Sequence, residues 1–206
     1  VKTQLPALTT DATITSIDLT GNTGVSAKPA AANKNILVFS DRLANGNNIV
    51  KSDNTCQTLS LSDGDGNFSN HRGEFTASTV TFNRTFSAGE TTTISLPFAL
   101  TESEVKTIGG TFYTIGNFDA EKHALTFCEA ASTEANVPYL FVASKDGVLF
   151  GRIASKEIPL STEMTVTTTD GDASMTGTTI LKSIKSDASN TLYTYKDNSF
   201  KRADID

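Results

Sequence analysis

The chain has 206 residues, of which 37% are hydrophobic and 19% charged, with a net charge of −6 and a pI near 4.9. That length suits one large β domain or two small ones, with a real core in either case. The acidic balance argues against a nucleic-acid partner and against anionic membrane surfaces, which both attract basic faces, and no run approaches the ~20 apolar residues of a membrane span.

The share missing from the hydrophobic and charged classes is largely Thr, Ser and Asn. Threonine is β-branched and fits a pleated, half-exposed surface, so the composition leans towards strands. The chain opens Val1-Lys2-Thr3 with neither an initiator Met nor a signal peptide, which reads as a processed product or an excised fragment. Cys56 and Cys128 are compatible with a disulfide in an exported protein; two free buried thiols are the plainer expectation.

In chain order, residues 1–12 read as a polar lead-in. Ile14, Ile17 and Leu19 mark a strand whose parity slips once, and Gly21-Asn22-Thr23-Gly24 ends it with turn chemistry. Residues 25–35 read as a loop, or at most one helical turn. Asn35-Ile-Leu-Val-Phe-Ser40 is a short apolar run between turn residues, hence a buried strand. Asn48-Ile-Val-Lys51 and Cys56-Gln-Thr-Leu-Ser-Leu61 add two more, so short β segments recur like solenoid rungs. Residues 62–73 form an Asp/Gly/Asn-rich turn region anchored by Phe68.

Residues 80–100 carry the clearest alternation. Val80, Phe82, Arg84 and Phe86 share one parity. After the turn Ser87-Ala-Gly-Glu90, Thr92, Ile94, Leu96 and Phe98 share another. The pattern predicts a β-hairpin about that turn, with the Arg84 stem packed inside and its head group on an acid or on edge carbonyls. Thr101 followed by Glu104 is a capping box, and Gly109-Gly110 a stop, so one short helix lies between. Strands resume at 111–116 and 124–129, a second hairpin. Further strands follow at 138–143, 148–153, 164–169, 175–180 and 192–195, with Ile158-Pro-Leu160 at an edge. Phe39, Phe82, Phe86, Phe98, Phe127, Phe141 and Phe150 are the expected aromatic core. The predicted architecture is all-β: an antiparallel β-sandwich over 75–206, preceded by a smaller 1–74 region of short solenoid-like strands, with one short helix.

No catalytic set assembles from the sequence. His71 and His123, with Cys56 and Cys128, show none of the spacings of a zinc site. No Gly-x-Ser-x-Gly elbow is present, and most acids sit in turn tripeptides such as Asp63-Gly-Asp65 and Asp170-Gly-Asp172, where they make Asx turns. The chain therefore reads as a non-enzyme without a cofactor.

Two patterns point to ligands. Asp63, Asp65, Asn67 and Glu74 place oxygens at positions 1, 3, 5 and 12, as in a calcium loop. Phe68 stands where the sharp turn needs Gly, Asn70 replaces an apolar residue, and the flanks are strands, so a plain turn is the simpler reading. Tyr193 and Tyr195 share one strand face and could stack on sugar rings, although the chain has no Trp and a half-buried core face is the plainer reading.

Phe82-Asn-Arg-Thr-Phe86, Thr93-Ile-Ser-Leu-Pro-Phe98, the acidic capped helix, Gly110-Thr-Phe-Tyr113 and Val137-Pro-Tyr-Leu-Phe141 together resemble the C-terminal β-rich module of Bacteroides-type secreted surface proteins, the leucine-rich-repeat putative adhesins. The 14–20, 35–39 and 48–50 segments resemble the stretch that links the last repeat to that module. The family's Cys before Leu-Pro-Phe is Ser95 here, and its Lys before Pro-Tyr-Leu is Val137. The resemblance implies an extracellular or outer-membrane-associated module with an adhesive, structural or capping role and a protein or glycan partner at the cell surface. A carbohydrate-binding module is the alternative expectation.

Overall fold

The computed structural model describes residues 6–44, 46–122, 124–177, 193–196 and 199–202. The chain is mostly β, with 46% of residues in strands and 5% in helix, and contains a β-solenoid of about 3 turns. A 3-10 turn at Pro6–Thr9 leads in. The solenoid strands are β1 (Ser16–Asp18), β2 (Leu37–Phe39), β3 (Ile49–Val50), β4 (Thr55–Ser62) and β5 (Phe75–Phe86). β1, β2 and β3 run parallel, β3 turns antiparallel into β4, and β4 pairs parallel with β5 from Thr55↔Thr76 to Ser62↔Asn83.

β6 (Thr91–Ser95), the helix α1 (Glu102–Ile108), β7 (Gly110–Asp119), β8 (Ala124–Ala130), β9 (Pro138–Ala143), β10 (Gly147–Ile153) and β11 (Lys156–Ile158) follow. Among the described residues, β12 (Met164–Thr167) pairs with β13 (Ser174–Gly177), and β14 (Tyr193–Lys196) with β15 (Ser199–Arg202). The predicted strand at 175–180 is described to Gly177 only; the rest of it lies outside the described residues.

The expected hairpin at 80–98 does not form. Its turn is present: the Glu90 N–H donates to the Ser87 carbonyl at 2.9 Å, with Gly89 at φ 80°. The two strands nevertheless enter different sheets. One edge of β5 is filled by β4 and the other by β10 and β11, so no edge is left for β6. β6 pairs instead with β9, in a four-stranded sheet ordered β6-β9-β7-β8. Alternation along 80–86 and 92–98 marked Val80, Phe86, Ile94, Leu96 and Phe98, which are buried, although Phe82 is only half-buried and Pro97 on the other parity is buried too; it carries no information about which strand lies beside which.

The helix follows its prediction in detail. Thr101 accepts from the Glu104 N–H, the Glu104 carboxylate accepts from the Thr101 N–H, and Gly109 closes the helix at φ 91°. The 110–119 and 124–130 strands form the expected hairpin.

One buried core runs across residues 37–158, and so across position 74/75. Phe86 and Phe150 from the solenoid sheet meet Phe112 and Phe141 from the second sheet. Ring centroids are 5.2 Å apart for Phe86–Phe141 and 6.3 Å for Phe112–Phe150. Edge-on and tilted contacts of this kind add about 0.5–1.5 kcal/mol each to burial. Of the expected aromatic core, Phe82 and Phe127 are only half-buried, whereas Phe75 and Phe112 are fully enclosed. A second cluster, Leu19, Val38, Leu43 and Ile49, fills the space beneath the parallel strands.

Candidate functional site

The loop that follows β4 carries the calcium pattern. Its carbonyls are already engaged: the Asn35 amide donates to Gly66 O at 2.6 Å and the Asn33 amide to Asn67 O at 2.6 Å. Gly66 sits at φ 110°, and a Cβ there would lie 2.4 Å from Asn33 Oδ1, so only Gly fits the approach. The Asp63 carboxylate lies 3.5 Å from the Arg84 guanidinium. Asp63, Asp65 and Glu74 are exposed, and Asn67 is half-buried. Among the described residues, no three His, Cys, Asp or Glu side chains are grouped to hold a metal ion.

Arg84 is placed as expected. Its guanidinium lies over the Phe86 ring at 5.1 Å and donates to the Thr93 carbonyl and the Thr92 hydroxyl, with Asp63 beside it. It thereby ties β5 to β6, which do not pair. Tyr193 and Tyr195 lie on β14 in register with Arg202 and Phe200.

The histidine and cysteine candidates are not brought together. His71 is exposed and lies against the Ser69 hydroxyl at 2.5 Å; Ser69 is fully buried, so the pair offers no accessible nucleophile. His123 lies outside the described residues. Both cysteines are free, Cys56 buried and Cys128 exposed, which corrects the expectation of two buried thiols. Cys128 is on the outer strand β8, where its face is open to solvent. Burial pushes the Cys56 thiol up to about 11, against weaker opposing hydrogen bonds from backbone groups. It borders a cleft of about 200 Å³ with Ile49, Lys51, Thr55, Gln57 and Ser78. A protonated thiol is a poor nucleophile; the described lining contains no carboxylate and no imidazole, and the thiol's charged neighbours are the amines of Lys51 and Lys28.

The principal polar feature is one that the sequence reading missed. Asn48 accepts from the Ser60 N–H at 2.7 Å and donates to Ser60 O at 3.0 Å. Asn35 repeats this one step along, accepting from the Ser62 N–H at 2.8 Å and donating to Ser62 O at 2.9 Å. Each side-chain amide thus imitates a strand residue and completes the edge of β4 that β3 is too short to cover. The signal was the recurrence of Asn directly before an aliphatic run, in Asn35-Ile-Leu-Val38 and Asn48-Ile-Val50.

Electrostatically the described residues show local pairs. Thr20, through its hydrogen bonds, and then Arg72 hold the Asp18 carboxyl down to about 2. Arg72 meets Asp18 at 2.8 Å and covers the Phe39 ring at 4.8 Å. No protein-family model, curated protein or solved structure matches the chain.

Proposed function

We propose that the chain is a non-catalytic structural module of an exported surface protein, and that it caps one end of a parallel β array. The carrying observation is the closure of β5. In a solenoid, each rung offers its strand edge to the next, and the last one needs a cover. Here the free edge of β5 is taken by two antiparallel strands, β10 at Gly147–Ile153 and β11 at Lys156–Ile158. The covering elements belong to a sandwich-like body over 75–206, a reading supported by Phe86 and Phe150 packing against Phe112 and Phe141. The surface location rests on the resemblance carried by Phe82-Asn-Arg-Thr-Phe86 and Leu96-Pro-Phe98.

The test fuses the chain behind a designed array of parallel β rungs. A cap makes the array monomeric and raises its melting temperature relative to the uncapped array. Equal melting and equal self-association with and without the chain overturn the reading. Glycan-array binding that is lost in Tyr193→Ala and Tyr195→Ala moves it to a carbohydrate-binding module, and hydrolysis abolished by one acidic substitution moves it to an enzyme.

A further inference from the structure

At the opposite end of the solenoid, β1 has a partner on one side only. Its bonds to β2 fix which groups face outward. The Leu37 N–H donates to Thr15 O at 3.0 Å and the Leu19 N–H to Phe39 O at 2.9 Å. Alternation then turns the N–H and C=O of Ile17 towards β2, and those of Ser16 and Asp18 away from it. Among the described residues, no strand pairs with that outer side of β1.

The side chains show the same open end. Register places Ile17 beside Val38 and Val38 beside Ile49, one aliphatic column across three parallel strands. Val38 is 0% exposed and Ile49 4%, whereas Ile17 is only half-buried, as are Ile14 and Val25 on the same rung. The column stops at a rung that lacks its cover. Head-to-tail stacking of copies cannot supply one, because the complementary edge of β5 is already occupied by β10 and β11.

We infer that the outer edge of β1 takes one further β-strand, parallel to β1, with an aliphatic residue bridging Ser16 O and the Asp18 N–H. A parallel bridge opposite Ile17 requires that residue to donate its N–H to Ser16 O and to accept from the Asp18 N–H. Bridge partners project to the same face, so its side chain continues the Ile17–Val38–Ile49 column and an aliphatic one fits. Asp18 is exposed, and its carboxylate is held at the side by Arg72 and Thr20, so it does not obstruct the edge. The side-chain preference follows from the Ile17–Val38–Ile49 column, and the parallel direction, with its register, extends that of β1, β2 and β3. That the strand comes from a preceding rung of an array rests on the capping reading.

The experiment joins a seven-residue strand to the N-terminus of the full chain through a flexible Gly/Ser linker, which gives it a high effective concentration. Three versions carry Ile, Lys or Pro at the central position, and amide exchange is read by NMR. The expected result is at least tenfold slower exchange at the Asp18 N–H with Ile and none with Lys or Pro. Ile17→Lys removes the effect, and unchanged amide exchange at Leu37 and Phe39 shows that the fold is kept in that variant. Equal protection by all three strands, or none by the Ile strand, overturns the inference. So does protection already present in the unfused chain, whether concentration-dependent through a second copy or independent through residues 1–5. A chain that caps the designed array yet leaves Asp18 exchanging freely refutes this strand register and spares the cap; protected Asp18 without capping does the reverse.

Discussion

The Lys156 ammonium and the Glu104 carboxylate, 52 positions apart, meet at 2.5 Å and join β11 to the first turn of α1. The two ends of this pair differ in environment. The Lys156 side chain is 9% exposed and that of Glu104 26%, and Glu104 has further donors in the Thr101 N–H and hydroxyl. Removing the carboxylate strands a buried cation, whereas removing the cation leaves a carboxylate with other partners. Glu104→Gln is expected to lower stability by about 3–5 kcal/mol and Lys156→Met by only about 1–2 kcal/mol. Urea unfolding of both variants measures the order, and the reverse order would refute the asymmetry.

The same pair gives a pH dependence. Burial acts to raise the Glu104 carboxyl, but hydrogen bonds from Lys156 and Thr101 outweigh it and hold the group below its usual 4.5. A depressed carboxyl contributes fully above its unfolded value and loses that contribution as pH falls through the folded one. Stability of the native chain should therefore decline more steeply below about pH 4.5 than that of Lys156→Met. Denaturation midpoints collected from neutral to acid pH would run parallel for the two proteins if the pair were unimportant.

Asn48 does the work of a strand residue, and its backbone sits at φ 62°, a conformation asparagine tolerates and alanine does not. Asn48→Ala leaves the Ser60 N–H and C=O without their partner and adds backbone strain, for an expected loss of about 2–4 kcal/mol. Asn48→Asp should be no better, because a carboxylate repels the Ser60 and Lys34 carbonyls that the amide now serves. Asn22→Ala, which removes an exposed turn bond to the Gly24 N–H, is the control and should change stability by less than ~0.5 kcal/mol.

The two thiols should separate cleanly with a disulfide reagent. Cys128 is exposed and reacts in the folded protein; Cys56 is buried, with its thiol pushed up to about 11. One equivalent of reagent is expected to be consumed rapidly near pH 8, the second only with unfolding. Two fast equivalents would place Cys56 at the surface.

The 63–74 loop is predicted to be a structural turn. Its Gly66 and Asn67 carbonyls face asparagine amides, and Asp63 faces Arg84. Melting temperatures with millimolar calcium and with chelator should coincide. Gly66→Ala should lower the melting temperature, since the new Cβ meets Asn33 and φ is 110°; a calcium-dependent melt would reopen the loop as a site.

Burial was more legible in the sequence than pairing. The period-2 pattern found β5 and β6, dense apolar runs found β2 and β9, and turn and capping chemistry found α1 and the Asp170 turn, because those signals are local. The partner of β5 is a long-range matter: alternation is equally satisfied by β6 next door or by β10 some sixty residues on. Asn35 and Asn48 open their strand segments in the sequence, where an asparagine side chain usually bonds locally as in a turn; here each serves the edge of β4 instead. Among the candidate ligands, the calcium pattern encoded a spacing of side-chain oxygens, but spacing does not reveal that Asp63 faces Arg84 or that asparagine amides hold the loop's Gly66 and Asn67 carbonyls.

The placement of β5 also sets a timetable. Its twelve residues carry Val80, Phe82 and Phe86, and β4 can pair with them as soon as both have been made. The strands that cover the other edge begin at Gly147, about sixty residues later. At the usual ~5–20 residues per second of synthesis, that edge stays open for several seconds on each nascent chain. The interval is long beside the microseconds in which strands find one another, so the yield of soluble protein should depend on translation speed between residues 87 and 158 and on holdase chaperones, even for variants whose finished fold is unchanged.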